Sequence, residues 1–540
     1  MPPFAVLAVT VSPLLSASAS PSAQSAPPQN ILMIVLDDLG TEQLALYGHS
    51  GPFVAPTPNL DALRAQGILF TRAYANPMCS PSRAAFMTGR YAFRTGMGYI
   101  AEGHGGVGYT LPDDEIFIPE MLAHGFEQTG VHYTSGAFGK WHLADHEDET
   151  TNFDHPLRNG FDRFFGHMAN IGDHFHWLLV DAPQSPLTPS WVGSPSGPYS
   201  PATWEASVVQ ARASRWMLNQ PGPFFAYVCF SPPHTPHQVP ARRYLSPATQ
   251  QAVTAAGLVP GDQVGESSPS YHACYSWMVE AIDSVIGVMV NGLPAPVRAN
   301  TTIIVVGDNG SVSNLLPCPL DSWPITGHGK RTTYEYGVRV PLIVSGASVA
   351  PENRGATCNG LVSAVDFWST IADLTGADAT ASNPPTQDGV SFKHMIDQPT
   401  APSARTYAFT ELFDPNGPFT PSATEAPQLR QHIRGITDGV FKYISLYSGG
   451  TPAAPGVRGV SASLAWQQGF FLPTDPDELS DLFCDAALCP LPLGAPSCAC
   501  VPSLPNPCPP CATPPCPVTG PASLAELGVL YEQLVNWSGL

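Results

Sequence analysis

The stretch NILMIVLDDLG, residues 30–40, sets six apolar residues in a row, Ile31 to Leu36, directly before Asp37 and Asp38. A short run rich in branched side chains, with no polar alternation, is the pattern of a strand buried on both faces of a parallel sheet. TTIIVVGDNGS, residues 301–311, repeats the design with Gly307, Asp308 and Asn309 at its end. In open α/β sheets ligands bind beyond the carboxyl ends of the strands. Two strands ending in carboxylate and carboxamide groups therefore predict one shared site.

The segments around these strands fit the same architecture. PTPNLDALRAQG (56–67) predicts a helix with Asn59 as N-cap and Gly67 as its stop. YHACYSWMVEAIDSVIGVMVNGL (271–293) carries apolar residues at helical spacing and is the clearest long helix. GPFFAYVCFSPPHTPH (222–237) reads as a buried strand and a proline-rich loop bearing His234 and His237, and VPLIVSG (340–346) as a further strand. Strands alternating with helices predict an α/β fold, a mostly parallel sheet covered by helices on both faces. Past a Pro/Ala/Ser-rich change of style near 395–430, RQHIRGITDGVFKYISLY (430–447) alternates and turns at Asp438-Gly439. A small antiparallel C-terminal subdomain follows, ending in a helix over 522–537. The expected organisation is a leader at 1–29, a catalytic α/β domain at 30–405, and a C-terminal subdomain at 406–540 with a Cys/Pro-rich insertion at about 484–517.

Composition narrows the function. The net charge of -20, from 43 acids against 23 bases, argues against a nucleic-acid partner, since a phosphate backbone rewards basic surface. The lysines are Lys140, Lys330, Lys393 and Lys442 alone, so their placement is informative. The first residues form an apolar stretch followed by small residues, a secretory pattern that lacks a basic start. The expectation is a secreted or periplasmic protein. No other run is read as a membrane span, so no transmembrane segment is expected in the mature chain. Cys484, Cys489, Cys498, Cys500, Cys508, Cys511 and Cys516 crowd the proline-rich tail. They read as a disulfide-stapled loop of an oxidising compartment rather than a metal site, despite the CPPC at 508–511.

Asp37, Asp38, Asp308 and Asn309 are all oxygen donors, a set suited to Ca2+ or Mg2+ rather than zinc. Either pair alone could simply cap the helix after its strand. Two matched pairs favour a metal. In ANPMCSPSRAAFMTGRY (75–91), Cys79 and Arg83 stand four apart around Pro81 at what reads as a helix start. Both can face one object near the helix N-terminus, itself an anion site. The plain alternative is an inert buried thiol and a surface arginine.

Cys79-Ser-Pro-Ser-Arg83 with MTGRY (87–91) closely resembles the activation signature of the type I, formylglycine-dependent sulfatases. The resemblance continues through PTPNLDALRAQGILFTRAYA (56–75), GKWHL (139–143), NGFDRFFG (159–166), PPHTPH (232–237), GDNG (307–310) and GKRTTYEYGVRVPLIV (329–344). Within that family the chain looks most like the arylsulfatase and N-acetylgalactosamine-4-sulfatase branch. The resemblance implies an alkaline phosphatase-like fold, with a large mostly parallel sheet between helices and a small C-terminal antiparallel sheet with a helix. It implies a sulfuric ester hydrolase acting on aryl sulfates or sulfated carbohydrates. A separate maturation enzyme would convert Cys79 to formylglycine. One hydroxyl of the hydrated aldehyde would attack sulfur, and the other would release the covalent sulfate.

The resemblance also implies roles for single residues. Asp37, Asp38, Asp308, Asn309 and the modified Cys79 would hold one divalent cation, Ca2+ ahead of Mg2+. Arg83 would steady the hydrate. Lys140 and Lys330 would neutralise sulfate oxygens. His142 would assist proton removal, facing the same side as Lys140 if that segment is extended. His234, with Lys330, would protonate the leaving oxygen. MANIGDHFHWLL (168–179), with Asp173, His174, His176 and Trp177, either lines the substrate pocket or packs the core. Two rival readings are a phosphonate or phosphate ester hydrolase of the same superfamily and a non-catalytic binder of sulfated glycans.

Overall fold

The structure is a computed structural model that describes residues 29–472, apart from 104–107, 146–151, 185–186, 196–198, 317–327, 378–385, 418–428 and 451–462, together with Glu478 and Val529. The leader apart from Gln29, the cysteine-rich tail and the helix expected over 522–537, Val529 excepted, lie outside the described residues, as does Cys318.

The strands are β1 (Asn30–Leu36), β2 (Gly67–Tyr74), β3 (Thr134–Lys140), β4 (Arg163–His167), β5 (Trp177–Ala182), β6 (Ser190–Val192), β7 (Phe224–Phe230), β8 (Thr301–Gly307), β9 (Arg339–Gly346), β10 (Ala356–Ser363), β11 (Ala408–Asp414), β12 (Leu429–Thr437), β13 (Phe441–Gly450) and β14 (Ser463–Phe471). Ten of them form one sheet in the order β10-β2-β9-β8-β1-β7-β3-β4-β5-β6. Its centre, β8-β1-β7-β3-β4, is parallel throughout. β9 runs antiparallel to both of its neighbours, as do β5 and β6 to theirs. The sheet is thus α/β and mostly parallel, as the apolar runs predict.

Both faces of β1 are covered. Ile31, Met33 and Val35 join a core with Phe86 and Met87, Met121 and Leu122, and Phe367 and Trp368, from the helices Cys79–Thr88, Ile118–Thr129 and Asp366–Thr375. Leu32, Ile34 and Leu36 join the opposite core with Leu60, Val209, Met278 and Ile282. These come from the helices Pro58–Ala65, Glu205–Leu218 and Tyr271–Asn291. A strand sandwiched this way has no wet face, which explains its unbroken apolar sequence.

Two local expectations change. The helix at Pro58 is entered from Thr57, and Asn59 is not its N-cap. Asn59 instead donates through its backbone N and side-chain Nδ2 to Asp283, which also accepts from the Leu60 N–H at 2.8 Å. A carboxylate from the neighbouring helix therefore serves the orphan donors of the first turn. The helix Tyr271–Asn291 is long and apolar enough to cross a membrane, contrary to the sequence reading. Its burial within the second core marks it as a core helix.

β11 to β14 form a separate four-stranded antiparallel sheet. Its β12–β13 hairpin turns at Asp438-Gly439, with Gly439 at φ +85°. Asp438 Oδ1 accepts from the N–H groups of Val440 and Phe441. The buried Lys442 of β13 ties the small sheet to the helical turn that enters β9: its Nζ lies 2.9 Å from Glu335, and 3.2 Å from Glu478.

Candidate active site

Parallel register brings the two acidic strand ends together. Leu36 pairs with Gly307, so Asp37 and Asp38 emerge beside Asp308 and Asn309, all four buried. Asn309 Nδ2 donates to Asp38 Oδ1 at 2.7 Å, and the Asp38 N–H donates to Asp308 Oδ1 at 3.3 Å. Asp38 holds a left-handed φ of +61°, with its carbonyl accepting from Tyr275 Oη at 2.7 Å. Among the described residues, four non-glycine positions have positive φ, and Asp38, His142 and Arg331 are three of them. Strain of this kind collects where neighbours must hold a side chain in place.

The helix Cys79–Thr88 opens onto this cluster. Its serines are structural: Ser82 Oγ accepts from the Asn76 N–H at 2.9 Å, and Ser80 Oγ accepts from the Ala101 N–H at 3.1 Å. Pro81 occupies the first turn, and Gly89, at φ +69°, closes the helix. Cys79, the first helical residue, is buried, with Sγ 3.3 Å from Lys330 Nζ. Arg83, one turn on, sends Nε and Nη2 to Asp308 Oδ2 at 3.0 and 2.8 Å, and Nη1 to the Lys140 carbonyl at 2.9 Å. Its guanidinium braces a carboxylate and a strand end.

Lys140, at the end of β3, contacts Asp37 Oδ2 and lies 2.7 Å from Asn170 Oδ1. Lys330 lies 2.7 Å from Asp38 Oδ1. His234 reaches within 3.7 Å of Asp38 Oδ2 through Nε2, while its Nδ1 lies 2.6 Å from the Thr235 carbonyl. His142 is not in extended backbone: it turns at φ +61°, its Nε2 lies 2.7 Å from Glu102, and its Nδ1 has no hydrogen-bond partner. His174 packs under the site with Nε2 3.0 Å from the His234 carbonyl, and His328 stacks on Tyr334. His237 is buried against Tyr271 and Tyr275.

Burial would raise Asp37, but Lys140, His234 and Arg83 hold it well below the usual carboxylate range. Asp38 is lowered in the same way, against burial, by Lys330 and His234. Burial, then the Asp37 carboxylate, push Asp308 up to about 7 against the pull of Arg83 and Lys140. The Cys79 thiol rises to about 12, from burial first and Asp37 second. Burial and the nearby lysines drop His234 to about 3, despite Asp38. Both lysines stay charged because the carboxylates outweigh their burial.

The sulfatase family profile matches residues 29–377 of this chain. The chain belongs to the sulfatase family. Its relatives include the N-acetylgalactosamine-6-sulfatase of Sus scrofa, 32% identical over 65% of this chain and 63% of that protein. The Rattus norvegicus enzyme of the same name is 30% identical over 72% and 70%. The match thus spans just under two thirds of the length of the porcine relative. Among solved structures, BT4656 in complex with its substrate D-glucosamine-2-N,6-O-disulfate has the same fold, with a TM-score of 0.59 and 18% identity over 86% of this chain and 95% of that one. The named relatives are 6-sulfatases, so the family is shown and a 4-sulfatase subtype is not.

The sulfatase site has a group of side chains that could hold a metal ion. Asp37, Asp38, Cys79 and His234 present ligand atoms that all lie within 4.8 Å of one another. Asp37 Oδ1 and Asn309 Oδ1 are buried acceptors without hydrogen-bond partners. Unpaired buried oxygens are costly unless something positive faces them. Asp308 lies outside that group of four, its oxygens turned to Arg83 and the Asp38 N–H. Sequence reasoning did not single out Asn170 and Glu102. Both contact expected site residues from loops, and only the fold brings them there.

Proposed function

We propose that this chain hydrolyses sulfate monoesters of carbohydrates. The observation that carries the reading is the placement of Cys79 at the first position of a buried helix, 3.3 Å from one lysine and grouped with Asp37, Asp38 and His234. The names of its relatives, which act on sulfated amino sugars, support the carbohydrate class. A thiol pushed up to about 12 is a poor nucleophile as it stands, since the thiolate is the reactive form. Conversion of Cys79 to formylglycine by a maturation enzyme would supply, on hydration, one hydroxyl to attack sulfur and a second to release it. A divalent cation held by Asp37, Asp38, Asn309 and position 79, with Asp308 completing the acidic set, would supply Lewis acidity. Its oxygen-rich ligands favour Ca2+ or Mg2+. The leader-like first 29 residues support an extracytoplasmic location.

The chain's own groups handle charge and protons. Lys140 and Lys330, ammonium groups at Asp37 and Asp38, would meet sulfate oxygens as charge builds on them. Lys330 and His234 stand together at Asp38, where a proton can pass to the leaving oxygen as the S–O bond breaks. His142, oriented by Glu102, is assigned to removing the proton that accompanies sulfate release. Arg83 acts through Asp308 and the Lys140 carbonyl and is a positioning residue. In sum, water and the ester yield the alcohol and hydrogen sulfate.

The test is a parallel assay of 4-nitrophenyl sulfate and an aryl phosphonate monoester, with Cys79→Ala as control. Sulfate turnover that exceeds phosphonate turnover and vanishes in Cys79→Ala is expected. Dominant phosphonate turnover would replace the reading with the phosphonate hydrolase alternative. Undiminished activity in Cys79→Ala would remove the nucleophile.

A further inference from the structure

Trp191 is the most exposed large apolar side chain among the described residues, at 64%. It lies on β6, a three-residue strand at the edge of the large sheet. An exposed edge normally avoids large apolar groups, because they invite unwanted association. Here the indole is held in place: the His176 ring stacks on it at 4.5 Å between centroids and 6° between planes. Trp191 pairs with Leu178 across β5, so these two share one sheet face, and His176 lies in the bend that enters β5. Val180, two residues further on that face, packs into the core containing Phe86 and Met87 of the Cys79 helix.

The stack is also tied to the site. Lys140 pairs with His167 on β4, β4 pairs with β5, and β5 pairs with β6. Three strand spacings separate Trp191 from Lys140, roughly 15 Å along the same end of the sheet. The connection from β4 to His176 carries Asn170, which contacts Lys140 at 2.7 Å. That connection is braced: Asp173 accepts from the Phe175 N–H and from Gln238 Nε2, and the His174 N–H donates to Gln238 Oε1. One face of the indole is backed by imidazole, and the residue is otherwise largely open to solvent.

Resting on the sulfate-ester reading of the site, we propose that the Trp191–His176 stack is a sugar-binding subsite that holds a pyranose ring of an oligosaccharide whose sulfated residue occupies the centre at Cys79. A rigid aromatic face suits the apolar face of a pyranose at low entropic cost. Its distance from Lys140 exceeds the reach of one sugar or aryl ring, so the ring bound there belongs to a neighbouring residue of the chain. The substrate class is accordingly a sulfated oligo- or polysaccharide rather than a simple aryl or steroid sulfate.

The experiment is native affinity electrophoresis of the full chain through gels containing chondroitin 6-sulfate, heparan sulfate, κ-carrageenan or fucoidan, alongside sulfate release from oligosaccharides of the same four. At least one polysaccharide should retard the parent. Trp191→Ala should weaken that retardation by about three- to tenfold, and Trp191→Phe should restore most of it. Cys79→Ala should still be retarded. Thermal melts of both Trp191 variants establish that they are folded. Equal retardation of parent and Trp191→Ala, or no retardation of the parent by any of the four, would overturn the proposal. Retardation without sulfate release from oligosaccharides of any of the four would leave the subsite standing and count against the hydrolase reading.

Discussion

Arg83 shows how a residue can be legible in type but not in partner. The signature implies a guanidinium at the hydrate, whereas the structure turns it to Asp308 and the Lys140 carbonyl. A lysine cannot reproduce that fork. Arg83→Lys is therefore expected to lower kcat on 4-nitrophenyl sulfate by about a hundredfold through misplacement of Asp308 and Lys140, with a smaller change in KM. An unchanged kcat would show that the fork positions nothing. Cys79→Ser carries one hydroxyl where the hydrate carries two. It should accumulate a stable sulfate ester on residue 79, seen as one added sulfuryl group by intact-mass measurement, with turnover lost. The residues legible in the sequence, such as Cys79, Lys140 and His234, stood in compact local patterns. Asn170 and Glu102 did not, because each meets its histidine or lysine partner across 30 or 40 residues of chain.

At the scale of elements, strand ends were the readable feature. An apolar run ending in polar oxygen donors has few explanations, and parallel register set the two runs side by side. Helix starts were less readable, since a cap can come from another element. Asp283 does this for the helix Pro58–Ala65. Asp283→Ala should destabilise the fold by about 1–3 kcal/mol in urea unfolding, because the N–H groups of Asn59 and Leu60 lose their acceptor. Asp283→Asn keeps an acceptor oxygen and should cost less. Burial raises Asp283 to about 6, so the folded chain binds this proton more tightly than the unfolded chain. The contribution of the site is then most favourable below about pH 4 and declines as pH rises through 6. The stability difference between parent and Asp283→Asn should change across that window. A difference that stays flat would contradict the buried-carboxylate account.

For the whole molecule, charge balance is the informative quantity. Asp37, Asp38 and Asp308 face Arg83, Lys140 and Lys330, so the centre of a strongly acidic protein is close to neutral by itself. A divalent cation would make it cationic, matching a sulfate group that gains negative charge as its ester bond breaks. Prolonged chelation should therefore abolish sulfate turnover and leave the fold intact, with activity returning on addition of Ca2+ or Mg2+. Full activity after metal removal, verified by elemental analysis, would eliminate the cation from the account. The large sheet was legible from its unbroken apolar runs, and the hairpin at Asp438-Gly439 from its alternation. The tie between the small sheet and the turn that enters β9 was not, since Lys442 meets Glu335 from 107 residues away. The central claim is that position 79 is a matured nucleophile. Mass spectrometry of the tryptic peptide Ala73–Arg83, from protein made alongside a formylglycine-generating enzyme, tests it most directly. Formylglycine at position 79 is the predicted result. An unmodified cysteine in protein that nevertheless cleaves sulfate esters would contradict it.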